Sequence, residues 1–585
     1  MSTIILGMNA YHGDASAAIV KDGQLVAAVE EERFNRIKHW AGFPTRSIQF
    51  CLETAGVSMK DVDHITFSSD VKANLAKRVR FVLIKRPSFQ AVWERLKRQT
   101  KATALKPKLA EAGGCSTSDI RAEIHHIEHH QTHLGAGFLV SPFEKSAILS
   151  IDGMGDFVST MTATGENTSW TIHERIFYPH SLGFLYNALT LYLGFPNYGD
   201  EYKVMGLAPY GEPEYVDLFR KIIYSKGDGF ELNLDYFTHH KEGILMAWED
   251  GAPKVEPFHS KKLVQELGPV RDPSQELTKR DENVAHSLQV VTEEIVLHLL
   301  ERLYEKTKLE DVCVVGGVAM NSVAIGKITL NTPFKNVYVP AGAADDGTSV
   351  GGAFYVWNHL LNNPREFRLE HAFWGNEATD AEIEAAIKEA GVPHKKLDDD
   401  ALVRQTADAL CDGKIVGWFQ GHMELGARAL GNRSLLADPR RADMREIINL
   451  KIKFRERFRP FAPSIQEEFV GEYFEVDQAA PFMERVLQIR PEKRDVIPAV
   501  THVDGSGRLQ SVSRKTNPLY WNLIEAFRQK TDVPIVLNTS LNENEPIVRT
   551  PTEAISCFLR TAMDQIVLGN YVIDREHPSF PPSDS

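Results

Sequence analysis

Two histidines a helical turn apart carry the densest chemical signal in the chain. In IHHIEHHQTHLGAGF, His129 and His133 are four residues apart and leave the same helix face, as two imidazole ligands of one metal must. His125, His126 and His130 are further candidates in the same run. The spacing alone also suits a hydrogen-bonded core or surface pair. Carboxylates that could join the imidazoles stand elsewhere: Asp152 ends a predicted strand in SIDGMGD, and Asp345 and Asp346 sit at another strand end in AADDG. Two imidazoles with hard oxygen ligands favour Fe, Mn or Zn over Mg or Ca, and open positions would take phosphate or carbonyl oxygens.

Glycine-rich turns and arginines supply the second class of signal. GGVAMN (Gly316, Gly317, Asn321) lets backbone approach a ligand and presents helix N-terminal N–H groups. No GxxxxGK[ST] and no GxGxxG after a strand occur, against P-loop and Rossmann readings. Farther on, GHMELGARALGNRSLLADPRR and NLKIKFRERFRPFAPS supply Arg428, Arg433, Lys453, Arg455, Arg457 and Arg459, a set suited to bidentate recognition of phosphate or acyl phosphate. A solvated basic face is the plain alternative, weakened by the interleaved Phe454, Phe458 and Phe461. THVDGSGRLQ and VLNTSLNENEPIV add Asp504, Arg508, Asn538, Thr539 and Ser540 beside predicted strands. No GxSxG and no glycosidase-like carboxylate pair stand out, so transfer of an activated group is favoured over a protein nucleophile.

These residues need a scaffold. IILGMNA, the turn HGDAS and AAIVKDGQLVAAVEEE read as strand, turn and hairpin, with Asp22-Gly23 suiting a two-residue turn. The pattern returns at AILSIDG, a weak internal repeat. Helical patterns cover 45–55, 71–112, 129–140, 181–194 and 282–306. Together they imply a duplicated α/β fold with a nucleotide in the cleft between halves. NNPREFRLEH breaks the pattern, placing a boundary between domains 1–366 and 367–585.

Composition bounds the partners. The 585 residues hold 66 Lys+Arg and 79 Asp+Glu, a net charge of −13 that argues against a nucleic-acid-coating or membrane-adsorbing protein. The exception is Lys72 to Lys108, with twelve basic residues against the single acid Glu94, read as the solvated side of amphipathic helices whose apolar side carries Phe81, Leu83, Val92, Trp93 and Leu96. No apolar run is long enough to span a membrane, and five scattered cysteines without a CxxC pair fit a reducing compartment, the cytoplasm.

At this point the chain resembles, along nearly its whole length, the NodU/CmcH-type O-carbamoyltransferases, which include tobramycin carbamoyltransferase and enzymes of nodulation-factor and cephamycin biosynthesis. The resemblance rests on LGMNAYHGDASAAIV, EHHQTH, SIDGMGD, GDEYKVMGLAPYG, GGVAMN, ADDG, MELGARALGNRSLLADPR, FRERFRPFAPS, THVDGSGRLQSV and VLNTSLNENEPIV, in the family's order. His422 stands where the family usually has Arg and Ala427 where it has Pro, while Arg428 is kept.

The resemblance implies an actin/Hsp70-like duplicated ATPase fold for the N-terminal domain, joined to a YrdC-like α/β C-terminal domain. It implies ATP, with Mg, and carbamoyl phosphate as co-substrates. Carbamoyladenylate would form in the second domain and be used in the first, at a divalent metal (Fe, or Mn or Zn), by a hydroxyl of a small natural-product type acceptor. Carried over by motif, His129, His133, Asp152 and Asp345 are metal ligands, with Asp346 as fallback, and His12 sits beside the carbamoyl group. Lys203, Gly316, Gly317 and Asn321 line the adenylate site, and Arg428, Lys453, Arg459, Arg508 and Asn538 hold carbamoyl phosphate. A homodimer is allowed for. The rival readings are an actin-like-fold kinase, which leaves the histidines idle, and a tRNA-modifying threonylcarbamoyl-type transferase, which the net charge opposes.

Overall fold

The computed structural model describes residues 2–88, 105–244, 246–247 and 252–576. They form two compact units, Met1–Leu369 and Glu370–Ser585. No described helix is long and apolar enough to cross a membrane.

The first unit is built on two five-stranded sheets of the same design. In one, β1 (Ile4–Asn9), β2 (Ser16–Lys21) and β3 (Gln24–Glu30) form an antiparallel meander, and β4 (His64–Phe67) and β5 (Glu123–His126) continue the sheet parallel to β1. The strand order is β3-β2-β1-β4-β5. Every residue of β1 is buried, as befits a central strand covered on both faces. The β2–β3 hairpin turns at Asp22 and Gly23, both with positive φ, the geometry that favours Asp-Gly there.

The second sheet repeats the plan. β6 (Lys145–Gly155), β7 (Val158–Glu166) and β8 (Ser169–Phe177) form the meander, while β9 (Asp311–Val315) and β10 (Asn336–Tyr338) run parallel to β6, giving β10-β9-β6-β7-β8. The internal repeat is thus a duplication of a whole sheet, the topology of the actin/Hsp70-like fold.

Helices cross between the strands. α1 (Thr45–Ala55) packs on the first sheet, α2 (His129–Leu134) follows β5, α3 (Leu182–Tyr192) follows β8, and α4 (Lys279–Thr307) precedes β9. α5 (Thr348–Phe354) crosses α2 closely: a Cβ on Gly351 would lie 1.9 Å from the Thr132 carbonyl oxygen. Glycine there lets the backbones touch, which draws the start of α5 toward the histidines of α2.

The basic segment departs from the expected pair of amphipathic helices. Leu75–Lys85 and Leu105–Ala112 are helical, and Phe81 is buried against Phe157 and Tyr178. Leu83, however, is 71% exposed and so is not part of an apolar packing face. Arg78 turns inward to Asp156, 3.4 Å away, and Lys77 lies over the Phe177 ring. Val92, Trp93, Glu94 and Leu96 lie outside the described residues.

The second unit is a nine-stranded mixed sheet. In chain order its strands are β11 (Lys395–Lys396), β12 (Val416–Phe419), β13 (Arg433–Ala437), β14 (Ala462–Gln466), β15 (Arg485–Gln488), β16 (Ser506–Val512), β17 (Ile535–Ser540), β18 (Gln565–Leu568) and β19 (Tyr571–Asp574). They lie side by side as β11-β19-β18-β12-β13-β17-β14-β16-β15. Trp418 and the Leu435–Ala437 and Ile535–Leu537 runs fill a core of their own, capped by helices including Asp399–Cys411 and Pro518–Thr531.

Candidate active site

In the first unit, four side chains from three chain segments meet at one point: His129 and His133 of α2, Asp152 and Asp345, all buried and with ligand atoms within 4.8 Å of one another. The Nε2 atoms of His129 and His133 are 3.1 Å apart, and each is 3.3 Å from Asp345 Oδ1. Asp152 Oδ2 lies 3.5 Å from His129 Nε2. Local structure fixes the histidine pair. The Glu128 carboxylate caps α2 by accepting from Gln131 N, and the His129 N–H donates to Asp156. His129 Nδ1 faces the Ser68 carbonyl oxygen at 3.2 Å, so a proton is held on that side and Nε2 is the nitrogen turned toward the cluster.

The donor set fits a transition-metal cation. Asp345 Oδ1 is buried with no hydrogen-bond partner, although two imidazole nitrogens stand in ion-pair range of it. Burial opposes charge on His129, but Asp345 and Asp152 outweigh it and push its pKa well above the usual value. Conversely, burial would raise both carboxylates, and the histidines hold Asp152 down to about 2 and Asp345 well below its usual range. A field that holds a proton this firmly holds a cation by the same attraction. Asp346 is not in the cluster; burial, with Glu30 and Asp14 nearby, pushes its pKa well up, and one carboxylate oxygen accepts the Gly347 N–H.

His12 lies beside the cluster. Its ring stacks on His129 with centroids 4.9 Å apart, and its Nδ1 is 4.0 Å from Asp345 Oδ2. Burial and the positive His129 lower its pKa, leaving a neutral imidazole able to accept a proton. The turn carrying it is tied by Asn9, whose amide donates to the Gly13 and Asp14 carbonyls and accepts from Ser68 Oγ. Asn9 went unnoticed in the sequence, where it reads as an ordinary strand end.

The glycine turn adjoins the cluster through Asp152, whose Oδ1 accepts the Gly317 N–H at 2.8 Å. Gly316 has φ +95°, and a Cβ there would lie 2.3 Å from the Ile151 carbonyl oxygen. Asn321 caps the following helix and exchanges amide hydrogen bonds with Gln289 at 2.9 and 3.1 Å, so its amide shapes the turn. Lys203 pairs with Asp200 at 3.1 Å and lies over the Phe195 ring.

The remaining candidate histidines do other work. His130 is buried between Ser150 Oγ and the Val158 carbonyl, its pKa pulled down to about 3 by burial and its two histidine neighbours. His126 faces the Ser69 carbonyl, and His125 pairs with His64.

In the second unit, arginines gather around Arg508. Burial lowers its pKa well below the usual value, and the charges of Arg428, Arg455 and Arg459 lower it further. Its Nε is buried without a hydrogen-bond partner. Arg455 donates to Asn449 Oδ1 and lies over Phe461, and Arg459 Nη1 is 3.6 Å from Glu456.

Three residues frame the loop that carries Arg428. Glu424 Oε1 accepts the N–H groups of Leu430, Asn432 and Arg433; Gln510 donates to the Leu430 carbonyl, and Asn538 to the Ala429 carbonyl. Asn538 therefore braces the Arg428 loop. Lys453 is buried and gives its ammonium to Ser540 O at 2.5 Å and to Asn542 O and Oδ1 at 2.7 Å, tying the 540–542 turn.

Two other arginines stand apart from the cluster's work. Arg433 stacks on Phe419 and donates to backbone carbonyls, and Arg457 is exposed beside Glu446. Glu424 and Gln510 went unassigned in the sequence, where Arg455 already stood among the phosphate-binding candidates.

Comparison with known proteins agrees with the design. Residues 4–354 match the carbamoyltransferase N-terminus family and residues 407–575 the carbamoyltransferase C-terminus family. The chain is 43% identical to protein sll1178 of Synechocystis over 98% of its length and 96% of the relative's. It is 38% identical to the nodulation protein NolNO of Sinorhizobium fredii over 98% of its own length and 80% of that protein's. It is 35% identical to the 3'-hydroxymethylcephem-O-carbamoyltransferase of Amycolatopsis lactamdurans over 40% of its own length and 43% of that enzyme's. With both family regions present in order around a histidine–aspartate cluster and an arginine cluster, the chain belongs to the carbamoyltransferase family.

Proposed function

We propose that the protein is an ATP-dependent O-carbamoyltransferase. Its second unit, the YrdC-like domain of the resemblance, hydrolyses carbamoyl phosphate with one water to carbamate and phosphate, and the carbamate oxygen then attacks the α-phosphorus of ATP, displacing pyrophosphate and leaving carbamoyladenylate. Its first unit passes the group from carbamoyladenylate to the hydroxyl of a small acceptor, releasing AMP. The observation that carries the reading is the meeting of His129, His133, Asp152 and Asp345, with two Nε2 atoms 3.1 Å apart beside a buried carboxylate oxygen that lacks a hydrogen bond.

The chemistry requires activation. Nitrogen donation makes a carbamoyl carbonyl a poor electrophile, and a mixed anhydride with AMP raises its reactivity. His129, His133, Asp152 and Asp345 would hold the metal, Fe, Mn or Zn by donor type, and when bound it supplies Lewis acidity toward the carbonyl oxygen. His12, neutral and beside the cluster, takes the acceptor's hydroxyl proton as the new C–O bond forms. The Gly316–Gly317 turn, free of side chains, lets the adenylate approach the backbone closely, with Lys203 as its further contact. Arg508 and its neighbours bind carbamoyl phosphate, whose charge relieves their mutual repulsion.

The relatives' names speak for an alcohol acceptor: one acts on a hydroxymethylcephem, another is a nodulation protein. The test is to incubate the protein with carbamoyl phosphate, ATP, Mg2+ and a divalent transition metal and follow products by mass spectrometry. Carbamoyladenylate with AMP and pyrophosphate is expected; ADP as the sole nucleotide product overturns the reading in favour of a kinase.

A further inference from the structure

A second histidine–carboxylate cluster lies on the first sheet, apart from the four buried ligands. β4 and β5 pair in parallel with His64 opposite Glu123 and Thr66 opposite His125. Side chains two apart on a strand share a face, so this register puts His64, Glu123 and His125 on one side of the sheet, on its edge strand and the strand next to it. His64 Nδ1 is 3.0 Å from His125 Nε2. The Glu123 carboxylate stands 3.9 Å from the first nitrogen and 4.0 Å from the second, in ion-pair range and beyond hydrogen-bond reach. Both rings are mostly covered, at 17% and 14% exposure, while the carboxylate at the mouth is 69% exposed.

We propose that His64, Glu123 and His125 form a second cation site, which takes Zn2+ or a neighbouring late transition metal through two imidazole nitrogens and one carboxylate oxygen. Two Zn–N bonds of about 2.0–2.1 Å at a tetrahedral angle span about 3.4 Å, so the rings need part by only a few tenths of an ångström. One proton is shared between the facing nitrogens; on binding, the ring that donates it shifts the proton to its other nitrogen, so no charge is lost from the pair. The exposed Glu123 side chain closes the third position and offsets part of the cation's charge, and water completes the shell. Imidazole donors select against Mg2+ and Ca2+, which take oxygen ligands. A cation here clamps the edge strand β5, immediately before the helix that presents His129 and His133.

The site is tested on the full chain, with the buried cluster disabled by His133→Ala and Asp345→Asn together. Titrated with Zn2+ alone against a chromophoric chelator, this protein is expected to bind one equivalent. His125→Ala on that background should weaken uptake by about 30-fold or more, and the milder Glu123→Gln by about 3–10-fold. Mg2+ and Ca2+ should not compete. His125→Ala with the buried cluster intact should transfer carbamoyl groups within about two-fold of the unmodified chain, which separates this site from the proposed reaction. His64→Gln, checked for folding by thermal scan, repeats the test should His125→Ala fold poorly. No uptake by the disabled protein, or affinity unchanged by His125→Ala or by His64→Gln, overturns the proposal.

Discussion

The Asp152 carboxylate accepts the Gly317 N–H at 2.8 Å. Its other oxygen lies 3.5 Å from His129 Nε2, so one side chain joins the glycine turn to the histidine cluster. Replacement therefore separates two roles. Asp152→Asn keeps an acceptor for Gly317 and loses the charge: metal content and transfer should fall by about 100-fold, with the KM for carbamoyladenylate nearly unchanged. Asp152→Ala should lower transfer similarly and also raise that KM several-fold. Metal analysis and steady-state kinetics check both.

Gly316 sets the path of the turn. Alanine there must hold φ near +95° with its Cβ 2.3 Å from the Ile151 carbonyl oxygen. The expected cost is about 3 kcal/mol or more, seen as an earlier thermal unfolding transition of the first unit. Gly316→Ala unfolding at the same temperature as the unmodified chain would contradict this.

The arginine cluster should trade stability for binding. Burial and three neighbouring guanidinium groups disfavour the charge on Arg508. Arg508→Met should therefore leave the unliganded second unit as stable or more stable while carbamoyladenylate formation falls by about 100-fold or more. Phosphate should raise the unfolding temperature of the unmodified protein, and much less that of the variant.

A pH effect follows from the Asp14–His39 pair, 2.7 Å apart. Burial lowers the His39 pKa, but the Asp14 charge and hydrogen bond, with Glu32, outweigh it and raise it to about 9. A group whose folded pKa is raised binds its proton more tightly folded than unfolded. Its stabilisation is complete below the unfolded value near 6.5 and is lost as pH rises through about 9. His39→Gln should flatten the fall in thermal stability between those pH values, measured side by side with the unmodified protein.

Much of this was legible in the sequence, for physical reasons. The hairpin at Asp22-Gly23 and the repeat at AILSIDG announce themselves because turn chemistry and strand alternation are local. The His129/His133 pair shows because helical spacing is fixed. Its choice of Asp345 over Asp346 was not readable, since adjacent residues differ only in direction and the α2–α5 crossing decides which one faces the cluster. Residue type alone does not separate Arg508, among like charges, from Lys453, whose ammonium ties the 540–542 turn. Asn9, Glu424 and Gln510 act through backbone partners distant in sequence or across a turn, and pattern carries no trace of that. The His64–His125 pair likewise depends on the parallel register of β4 and β5, which brings together two residues 61 apart in sequence.

The central claim is that activation and transfer are separate reactions performed by separate clusters. His133→Ala removes one imidazole from the buried cluster of the first unit. With carbamoyl phosphate, ATP and Mg2+, mass spectrometry should find carbamoyladenylate formed at close to the unmodified rate, with transfer to an acceptor alcohol reduced by about 1000-fold. Equal loss of both reactions would contradict the account.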